Sequence, residues 1–508
     1  MSDPVATLTS SLPAVAFLVP LAAGVLVFLG RGLRRTFWQG TALVASAITF
    51  LAGVRMTGQV LGGAVLTTWR NELRVDALSA LMVLVIGAGG FLAVLYSVRY
   101  VGQPGLLTRV GADAGGRRMA TFYGLVLWFL ATMVWGCVTN NIVMLYVAVE
   151  ATTLTSGLLV AFFWDRRALE AGYKYLMLLT IGITFALLGC VLIYASAAAT
   201  HQIAGRDALL MSEVRHVAHL IPAGTALLIV AFLLIGFGTK AGIAPFHPWL
   251  PDAHAEAPTP VSVLLSGVMI KMAMYALART VSIFYPSWPQ LTVFAVALGT
   301  FTMVLGIVVA LTQDDLKRLL AYSSVSQMGY VLVGIGLGTY LGCYGGLFHL
   351  LNHAIYKSLL FMCVGAVIYA TGARRVSELG GLGRTMPITA ACFFTGALAI
   401  AGFPPLNGFL SKLTVYLALA KAGLWWACGI AIAASVLTMV VLVRAAYTVF
   451  WGTPRGAALA EGGVREVPAL MWAPMVVLAA GCLLLGVFPH LTYPLLDKAA
   501  GVLATLGR

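Results

Sequence analysis

Long apolar runs follow one another along this chain, each of about 18 residues or more and separated by short polar stretches; a run of that length crosses a bilayer as a helix. The pattern predicts about fourteen spans. They fall at about 12–30, 36–54, 75–98, 119–138, 141–164, 169–197, 222–240, 261–283, 289–312, 318–338, 342–371, 386–418, 424–450 and 469–488. The first run lacks a basic start and reads as a span rather than a cleaved leader. Between the second and third spans, the alternation in Val65-Leu66-Thr67-Thr68-Trp69 predicts a small hairpin outside the membrane.

Two of the runs are interrupted. The run Thr225 to Gly238 leads into Lys240-Ala241-Gly242-Ile243-Ala244-Pro245-Phe246-His247-Pro248. The run to Ile400 leads into Ala401-Gly402-Phe403-Pro404-Pro405-Leu406-Asn407-Gly408, with Lys412 just after. Irregular backbone persists at membrane depth only where it lines a cavity or is buried in protein. Broken helices at matching places in two halves point to a transport site.

Composition narrows the class. Of 508 residues, 61% are hydrophobic and 9% charged, so an all-α polytopic membrane protein with two discontinuous helices is expected. The net charge of +14 sits mostly as arginine in short loops. With the N-terminus outside, Arg31, Arg34, Arg35, Arg109, Arg117, Arg118, Arg166, Arg167, Lys317, Arg318, Arg374, Arg375, Arg384, Arg455 and Arg465 all face the cytoplasm, and both termini lie outside. The loop after the seventh span, without Lys or Arg, is the exception. No clustered basic face for nucleic acid appears. Seven cysteines are scattered singly, and there is no CxxC, phosphate-binding loop or strand-plus-GxGxxG unit. No cofactor is expected in this chain, and energy for uphill transport must come from a partner or another ion gradient.

The candidate chemistry lies in the spans. Of eight lysines, Lys174, Lys240, Lys271, Lys357 and Lys412 fall in predicted spans or at a break, where a charged lysine costs about 2.5–3.5 kcal/mol. Lys317 and Lys421 fit snorkelling from helix ends. Lysine, unlike arginine, is able to lose its proton when dehydrated, and the spans are read as using lysine centrally with arginine left to the loops. Glu150 is the lone acid of the fifth span, and Lys174 on the next span is its natural partner. His349, His353 and Lys357 are spaced by four and line one stripe of a helix, with histidine suited to proton transfer near neutrality. His247, Asp252, His254 and Glu256 lie in a proline-held, extended loop that either lines a way in from the cytoplasm or is plain surface.

At these residues the chain resembles the antiporter-like, proton-conducting membrane subunits of respiratory complex I, group 4 membrane-bound hydrogenases and Mrp-type antiporters. The resemblance rests on Lys240-Ala241-Gly242-Ile243-Ala244-Pro245-Phe246-His247, Trp249-Leu250-Pro251-Asp252-Ala253-His254 and Ala257-Pro258-Thr259-Pro260. It extends through Asp315 to Tyr330, Phe348 to Lys357 and Gly402 to Phe409. It implies an N-terminal three-helix segment (1–118), two inverted five-helix repeats (119–283 and 289–450), and a C-terminal helix with a short tail (451–508). It also implies a proton relay through Glu150, Lys174, Lys240, Lys271, His349, His353, Lys357 and Lys412. Lys271 then stands in for a histidine that some members carry where this chain has Ser266. Val149 to Leu154 and Leu169 to Tyr175 look most like the formate hydrogenlyase-type hydrogenase subunits.

The resemblance implies a proton-translocating subunit of an energy-converting complex in a prokaryotic cytoplasmic membrane. Other membrane subunits and a soluble catalytic arm would be its partners, and protons or sodium its cargo. The rival readings are a subunit of an Mrp-type cation/proton antiporter, and a bicarbonate-accumulating complex with a zinc-containing, carbonic-anhydrase-like partner.

Overall fold

The computed structural model describes residues 7–102, 115–284, 289–453 and 463–504; the loop residues Arg109 and Arg455 lie outside them. Thirteen of the described helices are long and apolar enough to cross a membrane. The two pieces of an interrupted helix, 387–401 and 407–421, make a fourteenth, so the chain folds as a polytopic, nearly all-helical membrane protein.

The elements run α1 (Leu12–Leu29), α2 (Arg35–Leu61), α3 (Ala77–Tyr100), α4 (Gly115–Val138), α5 (Ile142–Val160), α6 (Arg166–Ala198) and a short α7 (Met211–Val217). There follow α8 (Ala223–Ala241), α9 (Trp249–Glu256), α10 (Thr259–Leu264), a π-helical turn (Leu265–Met269) and α11 (Ile270–Val281). The second half holds α12 (Pro289–Leu311), α13 (Leu316–Gly336), α14 (Tyr340–Thr371), α15 (Pro387–Ala401) and α16 (Asn407–Lys421). It ends with α17 (Trp425–Trp451), α18 (Ala469–Val487) and α19 (Tyr493–Ala504).

One face carries a small sheet. β2 (Val65–Thr68) and β3 (Leu73–Val75) form the expected hairpin, and β1 (Thr7–Thr9) adds a parallel strand on β2. The C-terminal stretch is more than a tail: α19 returns to the same face, where Lys498 donates to the carbonyls of Val60 and Leu61 at 3.3 and 2.8 Å and caps α2. Both ends of the described chain thus meet at this sheet face, as an even number of crossings requires.

The opposite face is tied by charge. Arg374 pairs with Glu256 and Asp315, at 3.3 and 2.7 Å. The segment after the first break differs from the extended loop expected of its prolines. Trp249–Glu256 is helical because Pro251 falls in the first turn, where no backbone donor is needed.

The eighth span, α10 to α11, is buried from end to end, and α13 nearly so. Small residues bring the central helices together: a Cβ on Gly334 would lie 2.7 Å from the backbone of Gly346, so α13 and α14 touch main chain to main chain. Lys271, His349, His353 and Lys357 lie on these central elements, with Lys240 at the end of α8 and Lys412 in α16.

Candidate functional site

The two interruptions share one backbone design. α8 stops at Gly242, at φ 74°, with Ile243 N–H bonded to Gly238 O and Gly242 N–H to Thr239 O. α15 stops at Gly402, at φ 81°, with Phe403 N–H bonded to Leu398 O and Gly402 N–H to Ala399 O. Glycine is needed at both, since a left-handed residue closes each end. Each break includes a cis X–Pro bond, at Pro245 and Pro405.

Lys240, in the last turn of α8, is 1% exposed. Its Nζ donates to Thr153 Oγ1 at 2.7 Å and lies 5.8 Å from the Tyr175 ring centre. Tyr175 extends this group: its hydroxyl lies 2.5 Å from Ser156 Oγ and 3.4 Å from Met269 Sδ, in the π turn just before Lys271. The expected Glu150–Lys174 pair is not formed. Lys174 lies on the half-exposed side of α6 and binds Glu170 at 2.6 Å, with Asp252 at 3.9 Å. Glu170 stands four residues earlier on the same helix, the favoured order for a helical ion pair. Glu150 instead accepts from Thr180 at 3.2 Å, and sits one turn from the Thr153 that holds Lys240.

Lys271 is fully buried, and its ammonium donates to the carbonyl of Ser266. Ser266 Oγ meets Ser324 Oγ at 2.8 Å. The neighbouring Ser323 hydroxyl accepts from Lys357 Nζ at 2.5 Å, and Leu320 O accepts at 2.6 Å. Two adjacent serines on α13 thus join the surroundings of Lys271 and Lys357. The stripe on α14 is as its spacing predicts: the His349 and His353 rings stack at 6.5 Å, and the step from His349 to Lys357 covers about 12 Å along the helix. His349 binds Ser411 at 3.0 Å and Gln327 at 3.1 Å.

Lys412 follows Ser411. It is 2% exposed and donates to Ile400 O at 2.8 Å, Ala401 O at 3.3 Å and Ser435 Oγ at 2.8 Å. Tyr330 lies between the two groups, 5.3 Å from the His349 ring and 4.9 Å from Lys412 Nζ.

The four residues after the first break do not share one environment. Asp252 is paired with Arg318 at 2.8 Å and Glu256 with Arg374, both toward the surface. His247 is half-buried, 6.3 Å from the Tyr322 ring. His254 alone is fully buried, stacked at 4.7 Å on Phe361, whose ring Lys357 overlies.

Several participants escaped the sequence reading. Thr153, Tyr175, Ser323, Ser324, Gln327, Tyr330 and Ser411 have no local signal beyond being polar in apolar runs. The π turn before Lys271 is a feature that recurs at functional sites. Lys317 does not snorkel: it is 4% exposed and donates to Ala257 O at 2.7 Å. Arginine is not confined to loops either. Arg279 of α11 grips Asp76 with two bonds, 2.6 and 2.7 Å, and reaches Ser79 at 2.9 Å. An arginine inside a predicted span was the signal for that pair.

Known proteins resemble this chain in sequence and in fold. Residues 139–438 match the family model described as NADH:quinone oxidoreductase/Mrp antiporter, TM. NADH-quinone oxidoreductase subunit N of Desulforudis audaxviator is 32% identical over 505 residues, covering 95% of this chain and 96% of that protein. Hydrogenase-4 component B of Escherichia coli is 32% identical over 439 residues, 81% of this chain and 62% of that protein. Among solved structures, a chain of the archaeal membrane-bound sulfane sulfur reductase superposes with a TM-score of 0.85 at 27% identity, covering 97% of this chain and 98% of that one. The chain therefore belongs to the NADH:quinone oxidoreductase/Mrp antiporter transmembrane family, the antiporter-like membrane subunits that translocate protons and other ions.

Proposed function

We propose that this chain carries protons along Lys240, Lys271, the Lys357–His353–His349 stripe and Lys412, as a subunit of an energy-converting complex in a prokaryotic cytoplasmic membrane. One observation carries the reading. Four lysines are 0–2% exposed, and among the described residues no carboxylate lies within ion-pair distance of any of them. A fixed buried charge would be paired. These amines are held by hydroxyls and carbonyls, which accept a hydrogen bond from the neutral and the charged form alike.

Along the stripe lie buried polar atoms with no partner among the described protein groups: both His353 nitrogens, and Nε2 of the Gln327 whose Oε1 meets His349. Buried polar atoms need partners, and bridging water supplies both the partners and a proton path. Amines and imidazoles favour protons over sodium, which wants oxygen ligands. Glu150 acts on Lys240 through the Thr153 turn of α5, and Lys174, bound to Glu170 and near Asp252, senses a neighbouring subunit at the half-exposed face of α6.

In this reading energy comes from partner subunits, among them a soluble catalytic arm, with no cofactor in this chain and both termini outside. In vesicles holding the assembled complex, Lys271→Met abolishes proton translocation while the complex still assembles. Undiminished translocation overturns the relay.

A further inference from the structure

Away from the relay, a cavity of about 390 Å³ lies between α2, α3, α14, α18 and α19, on the side facing the sheet. That is within the range of small-molecule sites. Its lining is almost entirely apolar. Leu61 and Leu491 at its rim are exposed, 38% and 55%, whereas Leu81 and Val268 at its floor are 1% exposed. In a membrane-spanning bundle an apolar opening of this kind faces lipid. A narrow, flexible hydrocarbon chain fits. Bilayer lipid is as apolar as the lining, so burial alone does not hold it there. The gain is the dispersion contact that an unfilled wall forgoes.

The rim supplies polar selection. Lys498 lies one turn beyond Pro494 and Leu495 of the lining, on the same face of α19. Its ammonium caps Val60 and Leu61 with two of its three donors and is exposed to the headgroup region. We infer that a phospholipid binds here, one acyl chain in the cavity and its phosphate at Lys498. The floor gives the site a consequence. Gly267 and Val268 belong to the π turn that precedes Lys271, and Ser358 follows Lys357. The acyl chain packs against the outer side of the turn that sets Lys271.

The test uses the purified complex in vesicles of phosphatidylethanolamine and phosphatidylglycerol, doped with a phospholipid bearing a photoreactive diazirine in its acyl chain. Labelled peptides are mapped by mass spectrometry. Label is expected at Leu351 to Ile355 and Leu491 to Leu495, and it is lost in Ala88→Trp, which fills the cavity. Lys498→Gln, a surface change that leaves the core intact, weakens the label for the phospholipid but not for a free fatty acid with the same diazirine. No label at these peptides, as when a partner subunit covers the rim, overturns the inference. So does label that both variants leave unchanged. Proton flux is measured separately, so a failed relay and a failed lipid site give different results.

Discussion

The two breaks solve one backbone problem and treat their lysines differently. In both, a half-helix ends on a left-handed glycine and an ammonium lies at its carbonyl end, the negative end of the helix dipole. Lys240 belongs to the ending helix and finds a single hydroxyl, Thr153 Oγ1. Lys412 belongs to the following half-helix and reaches back to Ile400 O, Ala401 O and Ser435 Oγ, which use all three of its donors. A fully satisfied ammonium is anchored; one with donors to spare is free to swing. The geometry therefore makes Lys240 the mobile group and Lys412 the fixed terminus.

The largest expected effect tests whether both ends are needed. Lys240→Met and Lys412→Met each reduce proton flux in vesicles to background. They separate in stability. Lys412→Met takes the ammonium from Ile400 O and Ser435 Oγ, while Ala401 O keeps the Ser435 hydroxyl, and it lowers the melting temperature; Lys240→Met takes it from Thr153 Oγ1 alone and leaves the melting temperature nearly unchanged. Equal melting temperatures would break the contrast.

Arg279 gives a reference for a buried cation that does have its acid. Asp76→Asn leaves the guanidinium without its counter-charge and destabilises the protein by about 3–5 kcal/mol, measured as a fall in melting temperature. If the loss is no larger than for Lys412→Met, carbonyls and a hydroxyl serve a buried cation as well as a carboxylate does.

The glycines come next. A side chain at φ near +75° costs about 1–2 kcal/mol, so Gly242→Ala and Gly402→Ala both lower stability. A Cβ at Gly402 lies 3.0 Å from Lys412 Cδ, whereas one at Gly242 meets only Leu250 Cδ1, at 2.7 Å. Gly402→Ala is therefore expected to slow flux as well, and Gly242→Ala to slow it less. Equal slowing would mean that the breaks act through backbone alone.

Much of this was legible in the chain. Apolar runs mark spans, Gly and Pro mark breaks, and a spacing of four marks the His349–Lys357 stripe, because these are local rules of helix geometry. What was not legible depends on which face a helix turns inward. Lys174 and Glu150 sit on consecutive antiparallel helices, so pairing by proximity was natural. Yet α6 buries Ala171, Gly172, Tyr175 and Leu179, which leaves residue 174 on its open side beside Glu170. Likewise Arg279 and Asp76 lie 203 residues apart, and no local pattern links them. The subfamily is a different case. NADH-quinone oxidoreductase subunit N and hydrogenase-4 component B are both 32% identical to this chain, the first over 96% of its own length and the second over 62%, so identity alone does not single out the hydrogenase class that the stretches near Glu150 and Lys174 led one to expect.

The smallest effects probe the partners of the two amines. Thr153→Val keeps the shape and removes the one acceptor of Lys240. A hydrogen bond to a charged group contributes about 1.5–3 kcal/mol, so flux should fall roughly tenfold or more. Ser435→Ala removes one of three acceptors from Lys412 and leaves two carbonyls fixed by the helix end, so about 0.5 kcal/mol is lost and flux falls roughly twofold. Initial rates of proton uptake by vesicles carrying each variant measure the ratio. A Ser435→Ala loss as deep as that of Thr153→Val would mean the carbonyls do not hold Lys412, and the anchored terminus would then be as mobile as the first.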